Sequence, residues 1–181
     1  MILNRIGGLD VEETTPVADP ATGYRSDVNP VGKIPALRLA DGEVLVDSPV
    51  ICEWLDRKGL NLLSNSDDEF AQRSLHAIGD GLSTAVYDYR YETVRDDALH
   101  WPQMISRKTA AIGSVLDWLE ARTDRLGETL GWGGLAVGCA LDYCAYRAGH
   151  VDWQNRAPRL ADWHRAVCRT PVWRETFAYP A

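Results

Sequence analysis

The hydrophobic period of this chain changes once, and that change limits what it can fold into. Up to about residue 50 apolar residues come in short alternating runs, and beyond about residue 70 they recur every three or four residues. A period of two belongs to strands and one of 3.6 to helices, so one repeating layer cannot accommodate the whole chain. Between the two regimes, Asn61 to Asp68 contains two Asn, two Ser and two Asp and reads as a connector. The sequence therefore predicts two domains, an α/β one over residues 1–63 and an all-helical one over 64–181.

The first domain opens with a short helical stretch, Ile2 to Gly7, stopped at Gly8. Val11 to Val17 has the character of a short strand that Pro16 confines to an edge, and Asp19-Pro20-Ala21-Thr22-Gly23 reads as a loop. A hairpin follows. In Ile34-Pro35-Ala36-Leu37-Arg38-Leu39, Ala36 and Arg38 fall on one side and Leu37 and Leu39 on the other; Asp41-Gly42 turns the chain and Val44-Leu45-Val46 returns. Ser48-Pro49 then has the form of an N-cap followed by proline, opening a helix from Val50 to Arg57 that Gly59 ends.

The second domain carries helical faces throughout. Ala71, Leu75, Ile78, Leu82, Ala85 and Tyr89 form one, and Ile105, Thr109, Ile112, Leu116 and Leu119 another. Leu135 to Tyr146 is apolar nearly all round, which places it centrally in a bundle. Pro158 to Val167 makes a fourth helix, and Thr170-Pro171 opens a short fifth.

Composition removes several functional classes. The 181 residues carry a net charge of −7 with no basic run, which argues against binding a phosphate backbone. No apolar run has the length of a membrane span, and the first 20 residues show no signal-peptide pattern, so a cytoplasmic, non-membrane protein is expected. The four cysteines, Cys52, Cys139, Cys144 and Cys168, lack metal spacing and sit in apolar helical patterns as small hydrophobes in a reducing compartment. His76, His100, His150 and His164 are scattered, so none is assigned as ligand or base and no metal is expected.

The densest motif is Asn29-Pro30-Val31-Gly32-Lys33-Ile34-Pro35-Ala36-Leu37, then Asp41-Gly42, then Leu45-Val46-Asp47-Ser48-Pro49-Val50-Ile51. With these residues the chain resembles the glutathione transferase family, in its bacterial cytosolic type, over about residues 3 to 178. Gly138-Cys139-Ala140-Leu141-Asp142-Tyr143 in the buried helix extends the resemblance. It implies a thioredoxin-like first half, an all-helical second half, and transfer of the glutathione thiol to a small electrophile. A proline that follows a β-branched residue and opens a strand suits a cis peptide, which would turn the Ile34 backbone toward an extended peptide ligand. Asp47 and Ser48 stand at a helix N-terminus, where free amides attract a carboxylate and Asp47 can hold an α-amino group. Lys33, Ile34, Pro35, Asp47 and Ser48 are thus the expected glutathione site; taken alone, Asp47-Ser48-Pro49 is equally a plain helix cap.

The resemblance further implies a co-substrate pocket near Tyr87, Arg90 and Tyr91, although rings two apart on a helix cannot all share one face. It implies that the family's first strand, and the Ser, Tyr or Cys that follows it and activates the thiol, are absent here. The catalytic residue is therefore unassigned: Cys52 reads as a core residue, and Tyr24 and Ser26 as loop. A non-catalytic binding or assembly module is the competing reading. Where the family places a capping box before its buried helix, this chain has Gly131-Trp132-Gly133-Gly134, which predicts a looser first turn. The resemblance implies a two-fold homodimer, with Gly79 and Gly81 near the axis as a partner-helix contact; a local kink or tight internal packing is the alternative.

Overall fold

The computed structural model describes residues 1–12, 14, 28–127 and 130–176. Most of the expected edge strand over 11–17, the loop over 19–23, Tyr24 and Ser26 lie outside the described residues. The chain forms two compact units, Met1–Asn65 and Ser66–Ala181.

The first unit holds α1 (Ile2–Ile6), β1 (Ala36–Arg38), β2 (Val44–Val46) and α2 (Ser48–Lys58). The strands are antiparallel, with Ala36 opposite Val46 and Arg38 opposite Val44. Their turn follows from local chemistry. Gly42 takes φ +90, and the Asp41 carboxylate accepts the Glu43 N–H at 3.0 Å. Among the described residues of this unit, Leu3, Ile51, Leu55 and Leu63 are the buried apolar ones. Leu63 belongs to the stretch read as a polar connector, and the structure corrects that reading for its first half. Asp56, 1% exposed, accepts the Leu62 N–H at 2.8 Å and the Leu63 N–H at 3.0 Å, so the chain is tied back under α2.

The second unit contains α3 (Glu69–Thr93), α4 (Pro102–Glu120), α5 (Trp132–Arg147), α6 (Trp153–Arg156), α7 (Pro158–Cys168) and α8 (Pro171–Thr176). Together the units have the expected architecture, a thioredoxin-like α/β half followed by an all-helical domain, and the described residues add the short α6 to the predicted helices. Asp68 caps α3 by accepting the Ala71 N–H at 2.9 Å. The α3 face is inward as predicted, with Leu75, Leu82 and Ala85 buried. On α4, Ile112, Leu116 and Leu119 are buried but Thr109 is exposed, its hydroxyl donating to the Ile105 carbonyl at 2.9 Å. The Thr170 hydroxyl, expected at the start of α8, donates back to the Val167 carbonyl at the end of α7, at 2.8 Å.

α5 runs through the middle of this unit, and its closest neighbour is α3. Two glycines make that proximity possible. A Cβ on Gly79 of α3 would lie 2.7–2.8 Å from backbone atoms of Ala136 and Val137, and one on Gly133 of α5 would overlap the Leu75 side chain. The N-cap of α5 is Gly131, which has no side chain to cap with, and the cap comes from elsewhere. Gln72 of α3 accepts the Gly133 N–H at 2.8 Å, holding the turn expected to be loose. α7 is treated similarly by Glu120 of α4, whose two carboxylate oxygens accept the Arg159 N–H at 3.2 Å and the Leu160 N–H at 2.9 Å.

Candidate functional site

β1 begins at Ala36 and β2 ends at Val46, and these two residues are partners. Ile34–Pro35 and Asp47–Ser48, the segments just outside that pair, therefore leave from the same end of the hairpin. The Ile34–Pro35 peptide is cis. Asn29, 4% exposed, shapes the approach to it. Its side-chain amide donates to the Lys33 carbonyl at 2.7 Å and its side-chain oxygen accepts the Val31 N–H at 2.9 Å. The Gly32 N–H closes the turn on the Asn29 carbonyl at 2.8 Å. Lys33 and Ile34 are left exposed, Ile34 to 52%. Among the described residues, nothing hydrogen-bonds to the Ile34 N–H or C=O.

Across the hairpin end, Asp47 takes φ 76 and ψ 126 and is itself the N-cap of α2. The cap thus falls one residue before the predicted Ser48, and Pro49 occupies the second helical position. An Asp at an N-cap ordinarily lends its carboxylate to the first turn, but here it makes no such bond. A positive φ turns its side chain off the usual capping course. The carboxylate, the Ser48 hydroxyl and the N-terminal amides of an 11-residue helix are therefore presented together. A plain cap would have used the carboxylate.

The second unit places the aromatic set as its spacing requires. Tyr87 and Tyr91, four apart on α3, pack against each other with ring centroids 4.3 Å apart, and both are exposed. Arg90 is exposed beside them, whereas Tyr89 turns to the opposite side and stacks on His150 at 4.8 Å. The Tyr87 phenol is pushed up to about 12, first by its hydrogen bond with Tyr91 and then by desolvation. Burial pushes the Tyr143 phenol up as well. Burial also pushes up the Cys52 thiol, and that of Cys144 to about 11. These groups hold their protons near neutral pH, so none is a ready thiolate or phenolate; Cys52, read from its pattern as a core residue, is half-buried.

Two family profiles match the chain: "Glutathione S-transferase, N-terminal domain" over residues 5–58 and "Glutathione S-transferase, C-terminal domain" over 102–166. The chain belongs to the glutathione S-transferase family. A family member from Pseudomonas fluorescens Pf-5, solved with bound glutathione, is 31% identical; the match covers 97% of this chain and 90% of that one, with a TM-score of 0.84. A glutathione S-transferase from Methylobacillus flagellatus KT, also with glutathione bound, is 29% identical over the same shares, with a TM-score of 0.88. The uncharacterized GST-like protein YibF of Escherichia coli K12 is 28% identical over 142 residues, covering 73% of this chain and 68% of the relative.

Within this transferase-family chain, sequence reasoning left Asn29 without a role although it opens the quoted motif. A small amide just before Pro-x-Gly is a turn-former, and that signal was present. What the sequence did not show is that both ends of the amide bind the loop leading to Ile34.

Proposed function

We propose that this glutathione S-transferase homologue binds glutathione at the hairpin end and transfers its thiol to a small electrophile. The observation that carries the reading is the Asp47–Ser48 corner, where a carboxylate, a hydroxyl and a helix N-terminus stand together without a side-chain capping bond. A γ-glutamyl group carries a carboxylate and an ammonium on one carbon. The first suits the α2 amides and the Ser48 hydroxyl, and the second suits Asp47. The exposed Ile34 backbone would pair with the middle of the tripeptide, with Lys33 and Pro35 flanking it. Glutathione is held in this reading as a substrate. Tyr87, Arg90 and Tyr91 would line the place of the electrophile, in a cytoplasmic, detoxifying role.

Thiol activation is the part without a named residue. The competing reading is a module that binds glutathione without conjugating it, since no described residue at the hairpin end is assigned to activate the thiol. Calorimetric titration with glutathione tests the first reading. Removing the Ser48 hydroxyl from a charge-assisted bond costs about 1.5–3 kcal/mol, so Ser48→Ala should weaken binding roughly tenfold to a hundredfold. Unchanged binding in that variant would reject the site. Measured binding with no turnover of a generic aromatic electrophile would instead select the non-catalytic module.

A second copy of this chain is the proposed partner. The sequence pointed to Gly79 and Gly81 at the two-fold axis, and the structure removes Gly79 from that role because it packs on α5. Gly81 remains exposed, with open space where its Cβ would be. Sedimentation at micromolar concentration should show a dimer; a species of monomer mass there would reject the pairing, since an obligate interface stays closed at that dilution.

A further inference from the structure

α5 and α7 bring three metal-ligating side chains together within the helical unit. His164 and Cys168 lie four apart on α7, so successive turns stack imidazole and thiol on one face, and Asp142 meets them from α5. Asp142 Oδ1 is 2.9 Å from His164 Nε2. Cys168 Sγ is 3.5 Å from the same nitrogen, and one ligand atom from each residue falls within 4.8 Å of the other two. The His164 and Asp142 side chains are only 12% and 11% exposed.

The surroundings orient these groups. Trp173 Nε1 donates to Asp142 Oδ2 at 2.9 Å, which fixes the carboxylate and leaves Oδ1 aimed at the imidazole. Outer contacts of this kind commonly set the direction of a metal-binding carboxylate. Trp153 and Trp173 stand edge-on to the imidazole, with centroids 5.4 and 6.5 Å away, and form apolar walls. With bonds of about 2.0–2.1 Å to nitrogen, 2.3 Å to sulfur and 2.0–2.2 Å to oxygen, a tetrahedral zinc ion needs roughly 3.6 Å between nitrogen and sulfur and roughly 3.4 Å between nitrogen and oxygen. The first distance is already present. The second requires the Asp142–His164 pair to open by about half an ångström as the metal replaces their shared proton.

We propose that Asp142, His164 and Cys168 form a three-ligand site for a zinc-type divalent cation that ties α7 to α5, with water in the fourth position. A thiolate with an imidazole and one carboxylate selects zinc and its neighbours over magnesium or calcium, which take oxygen ligands alone. On binding, the thiol gives its proton to solvent, and the imidazole proton shared with Asp142 at Nε2 moves by way of solvent to Nδ1, so that His164 ligates through Nε2 as a neutral imidazole. The spacing of these residues had predicted no metal, because a ligand 22 residues upstream on another helix leaves no sequence motif.

The test uses the full chain, stripped of metal and kept reduced, titrated with Co2+ alone. The expected result is one Co2+ per chain, with a thiolate-to-metal charge-transfer band and tetrahedral visible bands that Zn2+ abolishes. Cys168→Ser should lose the charge-transfer band and Asp142→Asn, which keeps an oxygen for Trp173, should weaken binding at least about tenfold. Zn2+ should raise the melting temperature of the parent chain and not that of Cys168→Ser. Cys139→Ser, at the exposed cysteine of α5, should behave as the parent. Absence of the band at stoichiometric Co2+, its survival in Cys168→Ser, its loss in Cys139→Ser, or an equal Zn2+ effect on parent and Cys168→Ser would each overturn the site.

Discussion

Replacing Gly79 by alanine is expected to destabilise the helical unit by about 2 kcal/mol net, while alanine at Gly81 stabilises it by up to about 1 kcal/mol. Both positions lie inside α3, so both gain the helix propensity of alanine over glycine, about 1 kcal/mol. Only the surroundings differ. At Gly79 the new Cβ meets backbone of α5 at 2.7–2.8 Å, against the 3.5–4.0 Å of ordinary carbon contacts. Backbone cannot rotate away as a side chain can, so the helices separate and lose dispersion along their joint face. Overpacking of this kind costs about 3 kcal/mol and outweighs the propensity gain. At Gly81 the Cβ meets nothing within 4 Å in its own chain, and within one subunit the propensity term acts alone. Thermal unfolding should show Gly79→Ala melting about 4–8 °C lower and Gly81→Ala slightly higher than the parent. A Gly79→Ala chain as stable as Gly81→Ala would refute the close-packing account.

This pair also shows how far the sequence could be read. The hairpin, the helix after Ser48-Pro49, the inward face of α3 and the central place of α5 follow from periodicity and turn residues, and each is set by neighbours within a few positions. The Asn29 loop and the Asp47–Ser48 corner were legible as a motif for the same reason. Features that depend on distant partners were not legible. Gly79 could be read as a contact with another chain or as internal packing, and only the position of Ala136 separates the two. Asp56 looked like an ordinary acidic residue near the end of α2. Thr109 fits the period of α4 but lies where no helix covers it, so periodicity alone drew it into the core.

Asp56→Ala should be the most damaging single change in the first unit, lowering its stability by about 3–4 kcal/mol. The carboxylate is 1% exposed and each oxygen holds one backbone N–H, those of Leu62 and Leu63. Alanine removes both acceptors at once. Each amide then loses a bond to a charged group, about 1.5–3 kcal/mol, part of which water recovers as the segment loosens. Leu63, 2% exposed, is drawn out of the core along with its backbone. Asp56→Asn keeps one acceptor oxygen and turns an NH2 toward the other amide, so an intermediate loss of about 2 kcal/mol is expected. Denaturant titration that follows the first unit orders the three chains as parent, Asn, Ala. Equal midpoints for parent and Ala would show that the buried carboxylate does not hold the segment.

The acceptors that Gln72 lends to α5 and Glu120 lends to α7 bear on the order in which the helical unit assembles. A helix that carries its own cap can persist as a nascent turn in the unfolded chain. The first turns of α5 and α7 depend instead on side chains 61 and about 40 residues upstream, which are not held near them until α3 and α4 have docked. Closing such loops costs entropy before any bond is formed, so these two helix starts become ordered late and together with the contacts that bring their acceptors. During synthesis α3 and α4 leave the ribosome first, so both acceptors are waiting when the helices that need them emerge.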